Sequence, residues 1–192
     1  MKRRKKTHSA KQRELQATAH YEAGHVVAAL HYELKFTYVT INPNEPPGSL
    51  GHVHVRRLVS YFFKLFEWGE ATDRARMDVE HQIITMFTAG EAEARFSGRR
   101  NYVGARKDYA VAATLVGLRF SSHDPIWLGK TALSTYLAFT RTVAKGFVAN
   151  ERNWKMICAV AKALLANPRH RLSQREAKEM LYDQSPHATE LR

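Results

Sequence analysis

The sequence predicts a mostly α-helical (α+β) domain with a small edge sheet or hairpin and a C-terminal helical bundle, and three observations predict it. A helix-period stripe opens the chain, strand patterning is confined to two short stretches between Leu34 and Arg56, and helical patterning returns from Thr72 onward. Explicit helix-start signals stand at Asp124-Pro125 and at Ser173-Gln174-Arg175-Glu176.

In order along the chain, the first helix is expected from about Ala10 to Tyr32. Leu15, Thr18, Glu22, His25, Val26 and Ala29 recur there at three- and four-residue steps, so one stripe faces inward. That stripe carries a charged centre, which a core alone does not need. Leu34 to Ile41 is rich in β-branched and aromatic residues and reads as a strand. Asn42 to Gly48 holds three prolines and a glycine and reads as a loop. Gly51 to Arg56 then alternates strictly, with Val53 and Val55 on one face and His52 and His54 on the other. A long helix is expected from Thr72 to about Phe96, and another from about Asp108 to Leu118. Asp124-Pro125 opens a helix through about Lys145, and Asn150 to Ala166 continues as helix until Pro168. The capping box at Ser173 starts a last helix ending near Tyr182.

Composition bounds the function. A length of 192 residues suits one domain with a real core, and 44% hydrophobic with 25% charged residues is a globular composition. The longest apolar candidate, Leu58 to Phe66, is broken by Ser60 and Lys64 and falls short of the roughly 18 residues that span a bilayer. No apolar stretch follows the N-terminal charges as in a secretory signal. The single cysteine, Cys158, excludes an internal disulfide and fits a reducing compartment, so the expected location is cytoplasmic. Cys158 itself, beside Ile157 and Val160, reads as a small core residue. The net charge of +12 is uneven: Lys2, Arg3, Arg4, Lys5, Lys6, Lys11 and Arg13 crowd into residues 1–13. This block reads as a solvated, disordered arm with the potential to attach to nucleic acid or an anionic membrane. The expected organisation is thus an arm at 1–13, a domain at 14–183 and a frayed tail at 184–192.

The segment Ala17-Thr18-Ala19-His20-Tyr21-Glu22-Ala23-Gly24-His25 carries the chemistry. In the zinc-peptidase pattern H-E-x-x-H, two histidines four residues apart share a helical face, and the glutamate beside them acts as general base. Glu22 and His25 keep that spacing, but Tyr21 holds the first histidine position and a histidine stands one place earlier, at His20.

These residues resemble the proteolytic domain of the FtsH family of zinc metalloproteases, whose helix reads A-Y-H-E-A-G-H. Here tyrosine and histidine are transposed. Val39-Thr40-Ile41-Asn42-Pro43 followed by Leu50-Gly51 resembles the family's V-x-I-x-P…L-G hairpin. Ala89-Gly90-Glu91-Ala92-Glu93, with Gly98 beyond, resembles its A-G-R-A-A-E-E segment, one residue shorter. Gly104-Ala105-Arg106-Lys107-Asp108 resembles the G-A-x-x-D that supplies the third zinc ligand. Asn150-Glu151-Arg152 and Ala163-Leu164-Leu165 fit its closing helices more loosely, and the resemblance covers residues 17–182. It implies His25 and Asp108 as metal ligands, Glu22 as the base and zinc as the cofactor. It also implies peptide hydrolysis that is weakened or lost by Tyr21. The chain holds no G-x-x-x-x-G-K-[ST] loop, hence no ATP site, so ATP-driven feeding implies a separate ATPase partner.

Three ways of completing the ligand set remain open from the sequence. Tyr21 as phenolate must shed a proton whose reference pKa is near ~10. His20 lies roughly 140° from His25 on a regular helix. A π-bulge across Gly24 brings His20 and His25 onto one face. His52 and His54 read as surface histidines on an edge strand, with i, i+2 metal ligation the sharper alternative. The edge near Val53 and Val55 is the expected place for a peptide to bind by β-augmentation. The aromatic run Tyr61, Phe62, Phe63, Phe66 and Trp68 departs from the family's usual polar loop and reads as core packing or a partner patch. With the basic arm it supports the alternative function, a non-enzymatic module that binds protein, nucleic acid or a membrane surface.

Overall fold

The computed structural model describes residues 8–43, 45, 50–54, 64, 72–102, 104–120 and 130–182. Among them run six helices, α1 (His8–His31), α2 (Asp73–Ser97), α3 (Arg106–Arg119), α4 (Lys130–Ala149), α5 (Glu151–Ala166) and α6 (Gln174–Tyr182). Strands β1 (Tyr38–Thr40), β2 (His52–His54) and β3 (Arg171–Ser173) form one antiparallel sheet in the order β2-β1-β3. The fold is therefore mostly α with a small sheet, as the patterning predicts.

Local chemistry explains the helix ends. Thr72 caps α2, its Oγ1 accepting from the Ala75 amide at 3.2 Å. Asn150 alone separates α4 from α5, and its Oδ1 accepts from the amides of Arg152 and Asn153 at 3.0 and 3.2 Å. The expected capping box forms: Ser173 Oγ accepts from the Glu176 amide, and Glu176 Oε2 accepts from the Ser173 amide.

Four expectations shift. α1 begins at His8, so Lys11 and Arg13 ride on the helix and do not belong to the arm. The first strand is shorter than Leu34–Ile41, because residues 34–37 lead into it irregularly; Leu34 and Phe36 are buried nonetheless. α3 begins two residues before Asp108, which places that aspartate in its first turn. β3 was not foreseen. It pairs with β1 through Val39 and Leu172, and three residues carry too little alternation to mark a strand. The start at Asp124-Pro125, the aromatic run 61–63, 66 and 68, residues 1–7 and the tail from 183 lie outside the described residues. None of the helices among the described residues is long and apolar enough to cross a membrane.

The core is divided. α1, β1, α5, β3 and α6 bury one apolar cluster around Val26, Val27, Val39, Ile41, Ile157, Val160 and Leu164. α2, α3 and α4 bury a second around Val79, Ile83, Leu115, Val116 and Leu137. α1 meets α2 at Gly24, where a Cβ would stand 2.9 Å from both Ala89 Cα and Ala92 Cβ. The small residues of Ala89-Gly90-Glu91-Ala92 thus let two helix backbones approach closely, and this fixes how α1 is rotated.

Candidate functional site

Tyr21, Glu22 and His25 come from α1, Thr85 from α2 and Asp108 from the first turn of α3. Asp108 Oδ2 accepts hydrogen bonds from the Tyr21 hydroxyl and from His25 Nε2, the latter at 3.0 Å. The other ring nitrogen of His25, Nδ1, donates to the Thr85 carbonyl at 3.1 Å. Both nitrogens of that imidazole are occupied. The Tyr21 and His25 rings meet edge to face with centroids 5.2 Å apart, as i, i+4 neighbours on a regular helix should.

Charge follows this geometry. Burial opposes a charge on His25, but Asp108 outweighs it and raises the pKa to about 9. Burial would raise the Asp108 carboxyl; the His25 charge and the bonds from His25 and Tyr21 instead hold it below its ordinary value. The Tyr21 phenol is pushed far up, by burial first and then by Asp108. Glu22 is 4% exposed, and burial raises its pKa to about 8. Its Oε2 is buried and has no hydrogen-bond partner among the described residues. Glu22 is covered by Gly51, where a Cβ would come within 2.7 Å of Glu22 Oε1. Glycine at 51, in the Leu50-Gly51 pair, therefore makes room for the carboxylate.

His20 is not part of this cluster. α1 is α-helical without interruption, so the π-bulge does not form. The His20 ring stacks on Phe96 with centroids 3.9 Å apart, tilts against Trp154, and its Nδ1 donates to the Gln16 carbonyl at 2.8 Å. Burial lowers its pKa. Direct ligation by His20 and the bulged route both fall with this geometry.

The donors present do not fit a catalytic zinc, which takes three protein ligands and keeps one open position. One imidazole and one carboxylate face each other across a hydrogen bond. The third group is a phenol whose hydroxyl donates to that same carboxylate, in surroundings that oppose phenolate. Among the described residues no group of three or more His, Cys, Asp or Glu side chains is placed to hold a metal.

The sequence reading missed three members of the site. Thr85 contributes only a carbonyl, and a carbonyl leaves no trace in side-chain patterning. Gly51 was visible only as part of a hairpin motif. His52, read as a surface residue, lies close enough to His25 and Asp108 for their charges to act on it. Val53 pairs with Val39 and packs on the first core cluster, so its contribution at the edge is backbone; Val55 lies outside the described residues.

No protein-family profile matches the chain, and no curated protein matches it either. The family expectation rests on the residues quoted above and on their convergence in the fold.

Proposed function

We propose that this chain is an FtsH-type metallopeptidase-like domain whose zinc-dependent peptide hydrolysis is weakened or lost because Tyr21 stands in the first ligand position. The observation that carries this reading is convergence. Glu22, His25 and Asp108, the base and two ligands implied by the resemblance, meet at one point, buried Glu22 and His25 beside half-buried Asp108, although His25 and Asp108 are 83 residues apart in sequence. A core has no need for an acid, an imidazole and a second acid in that place. Tyr21 closes the cluster by spending its hydroxyl on Asp108, which holds α1 to α3 without a metal.

What remains available to a peptide is the sheet edge. β2 pairs with β1 on one side, is one of the two outer strands of the sheet among the described residues, and runs past Glu22 through Gly51. An extended segment added along β2 by main-chain hydrogen bonds would pass beside the cluster. The alternative reading as an interaction module depends on the basic residues 1–13 and on the aromatic run, of which residues 1–7 and the aromatic run lie outside the described residues.

Metal analysis of purified wild type beside Tyr21→His, with peptide hydrolysis measured on both, tests this reading. The ring contact at 5.2 Å shows that position 21 already faces His25, so a histidine there supplies the third donor. The expected result is little zinc in the wild type and about one equivalent in the variant. Stoichiometric zinc in the wild type, with hydrolysis abolished by Glu22→Gln, would overturn the loss of activity. Absence of zinc from both proteins would show that the site has decayed beyond position 21.

A further inference from the structure

Asp108 also lines a second space, a cavity of about 320 Å³ bounded by α2, the segment carrying Arg100, Asn101 and Tyr102, the first turn of α3, and Arg141 of α4. Its volume lies at the low end of ligand pockets, with room for one large side chain. Met86, Phe87, Tyr102 and Tyr109 give it apolar walls. Tyr102 and Tyr109 are 71% and 54% exposed, so neither core cluster accounts for these rings.

The charges of this cavity do not balance. Glu91, 7% exposed, accepts from Arg100 Nη2 at 2.7 Å and from Arg141 Nε at 3.1 Å. Each guanidinium carries five N–H donors, so donors remain on both. Glu91 fixes the two groups side by side, and Arg106, exposed and without an ion pair among the described residues, adds a third. Against three guanidiniums stand Glu91 and Asp108, and Asp108 is already engaged by His25 and Tyr21. That excess of positive charge beside apolar walls, in a space sized for one large side chain, suits an anion with an apolar body, and guanidiniums held side by side match the planar two-oxygen face of a carboxylate.

We infer that this cavity binds an apolar carboxylate, its side chain between the walls and its carboxylate on the arginines that Glu91 positions. Two sources share that chemistry: the C-terminal residue of a peptide and a free arylalkanoic acid. The inference does not depend on whether the Tyr21 cluster binds metal.

The test is an NMR titration of the full chain with three probes: 3-phenylpropionate, acetyl-Gly-Gly-Phe, and the same tripeptide as its C-terminal amide. The expected result is saturable binding of an acid, with the amide at least about tenfold weaker than the tripeptide acid, since only a carboxylate makes charge-assisted bonds to arginine. Tighter binding of the tripeptide acid than of the free acid assigns the peptide C-terminus, and the reverse order assigns the small acid. Two variants separate site from fold. Gly90 lines the cavity, and the nearest atom to a Cβ there is Ala105 Cβ at 3.7 Å, so Gly90→Leu fits the backbone while occupying the space; binding is expected to be lost. Arg106→Gln leaves every ion pair described here intact and is expected to weaken the acid about three- to fivefold with the amide unchanged. Failure of both acids to bind the wild type, equal binding of acid and amide, or undiminished binding to a folded Gly90→Leu would each overturn the inference.

Discussion

His20 and His25 stand five residues apart on α1 and are both buried, at 9% and 6% exposure, yet they are put to opposite uses. His20 lies flat on Phe96 beside Trp154, and burial lowers its pKa. His25 spends both ring nitrogens on Thr85 and Asp108, and the aspartate raises its pKa to about 9 against the pull of burial. Burial alone therefore does not set the character of an imidazole; the partner within reach does. Each step along a helix turns the side chain by about 100°. Transposing tyrosine and histidine at 20 and 21 hence moves an imidazole out of a polar cluster and into an aromatic stack. The phenol that takes its place can close the cluster but is poorly suited to ligate a metal.

That contrast requires α1 to be held at one rotation, and Gly24 is the residue that holds it. Gly24→Ala brings a methyl to 2.9 Å from Ala89 Cα, a backbone atom that cannot step aside. The expected loss is about 1–3 kcal/mol, the usual cost of overpacking. It is read as a lower urea midpoint, together with weaker near-UV signal from the Trp154 environment as the His20 stack loosens. An unchanged midpoint would mean that the crossing of α1 and α2 has slack and does not fix which ring faces which side.

A smaller effect isolates the polar face. Tyr21→Phe keeps the ring and its edge contact with His25 but removes the bond to Asp108. The expected cost is about 1.5 kcal/mol, the low end for a hydrogen bond to a charged acceptor. The same change in an Asp108→Asn background should cost less than in the wild type, because the bond to a charged acceptor is already gone. Additive costs across that double-mutant cycle would separate Tyr21 from Asp108 energetically and leave the clasp between α1 and α3 to His25 alone.

Much of this arrangement was legible beforehand. The stripe through Glu22 and His25 marked an inward polar face, because helix periodicity is a local signal, and the resemblance carried by Gly104 to Asp108 implied the aspartate opposite it. Three things were not. β3 is too short to show a pattern and exists only because β1 lies beside it. Thr85 takes part through a backbone oxygen, which has no signature in side-chain identity. The fate of His20 turned on whether α1 bulged, and Gly24, which looked like a point of backbone freedom, is instead required by close helix packing.

A third histidine asks which side of the contrast is the rule. His81 on α2 stacks on Tyr32, just past the end of α1, with centroids 4.3 Å apart, and its Nδ1 is buried without a hydrogen-bond partner among the described residues. Burial lowers its pKa from 6.5; Asp78 and Glu80 pull it up, while Arg74 and His31 push it further down. With the folded pKa below the unfolded one, the unfolded chain takes up protons first as pH falls. The stabilising preference for neutral His81 is then lost progressively below about pH 6.5 and levels off below the folded pKa. The melting temperature should therefore fall between about pH 7 and about pH 5 more steeply in the wild type than in His81→Phe, which keeps the stack but cannot protonate. An NMR titration of the His81 ring decides the cause: a pKa below 6.5 sets it with His20 as a ring ruled by burial. A value above 6.5 would mean that Asp78 and Glu80 prevail there as Asp108 does at His25, and that on this scaffold a nearby carboxylate outweighs burial even without a direct hydrogen bond.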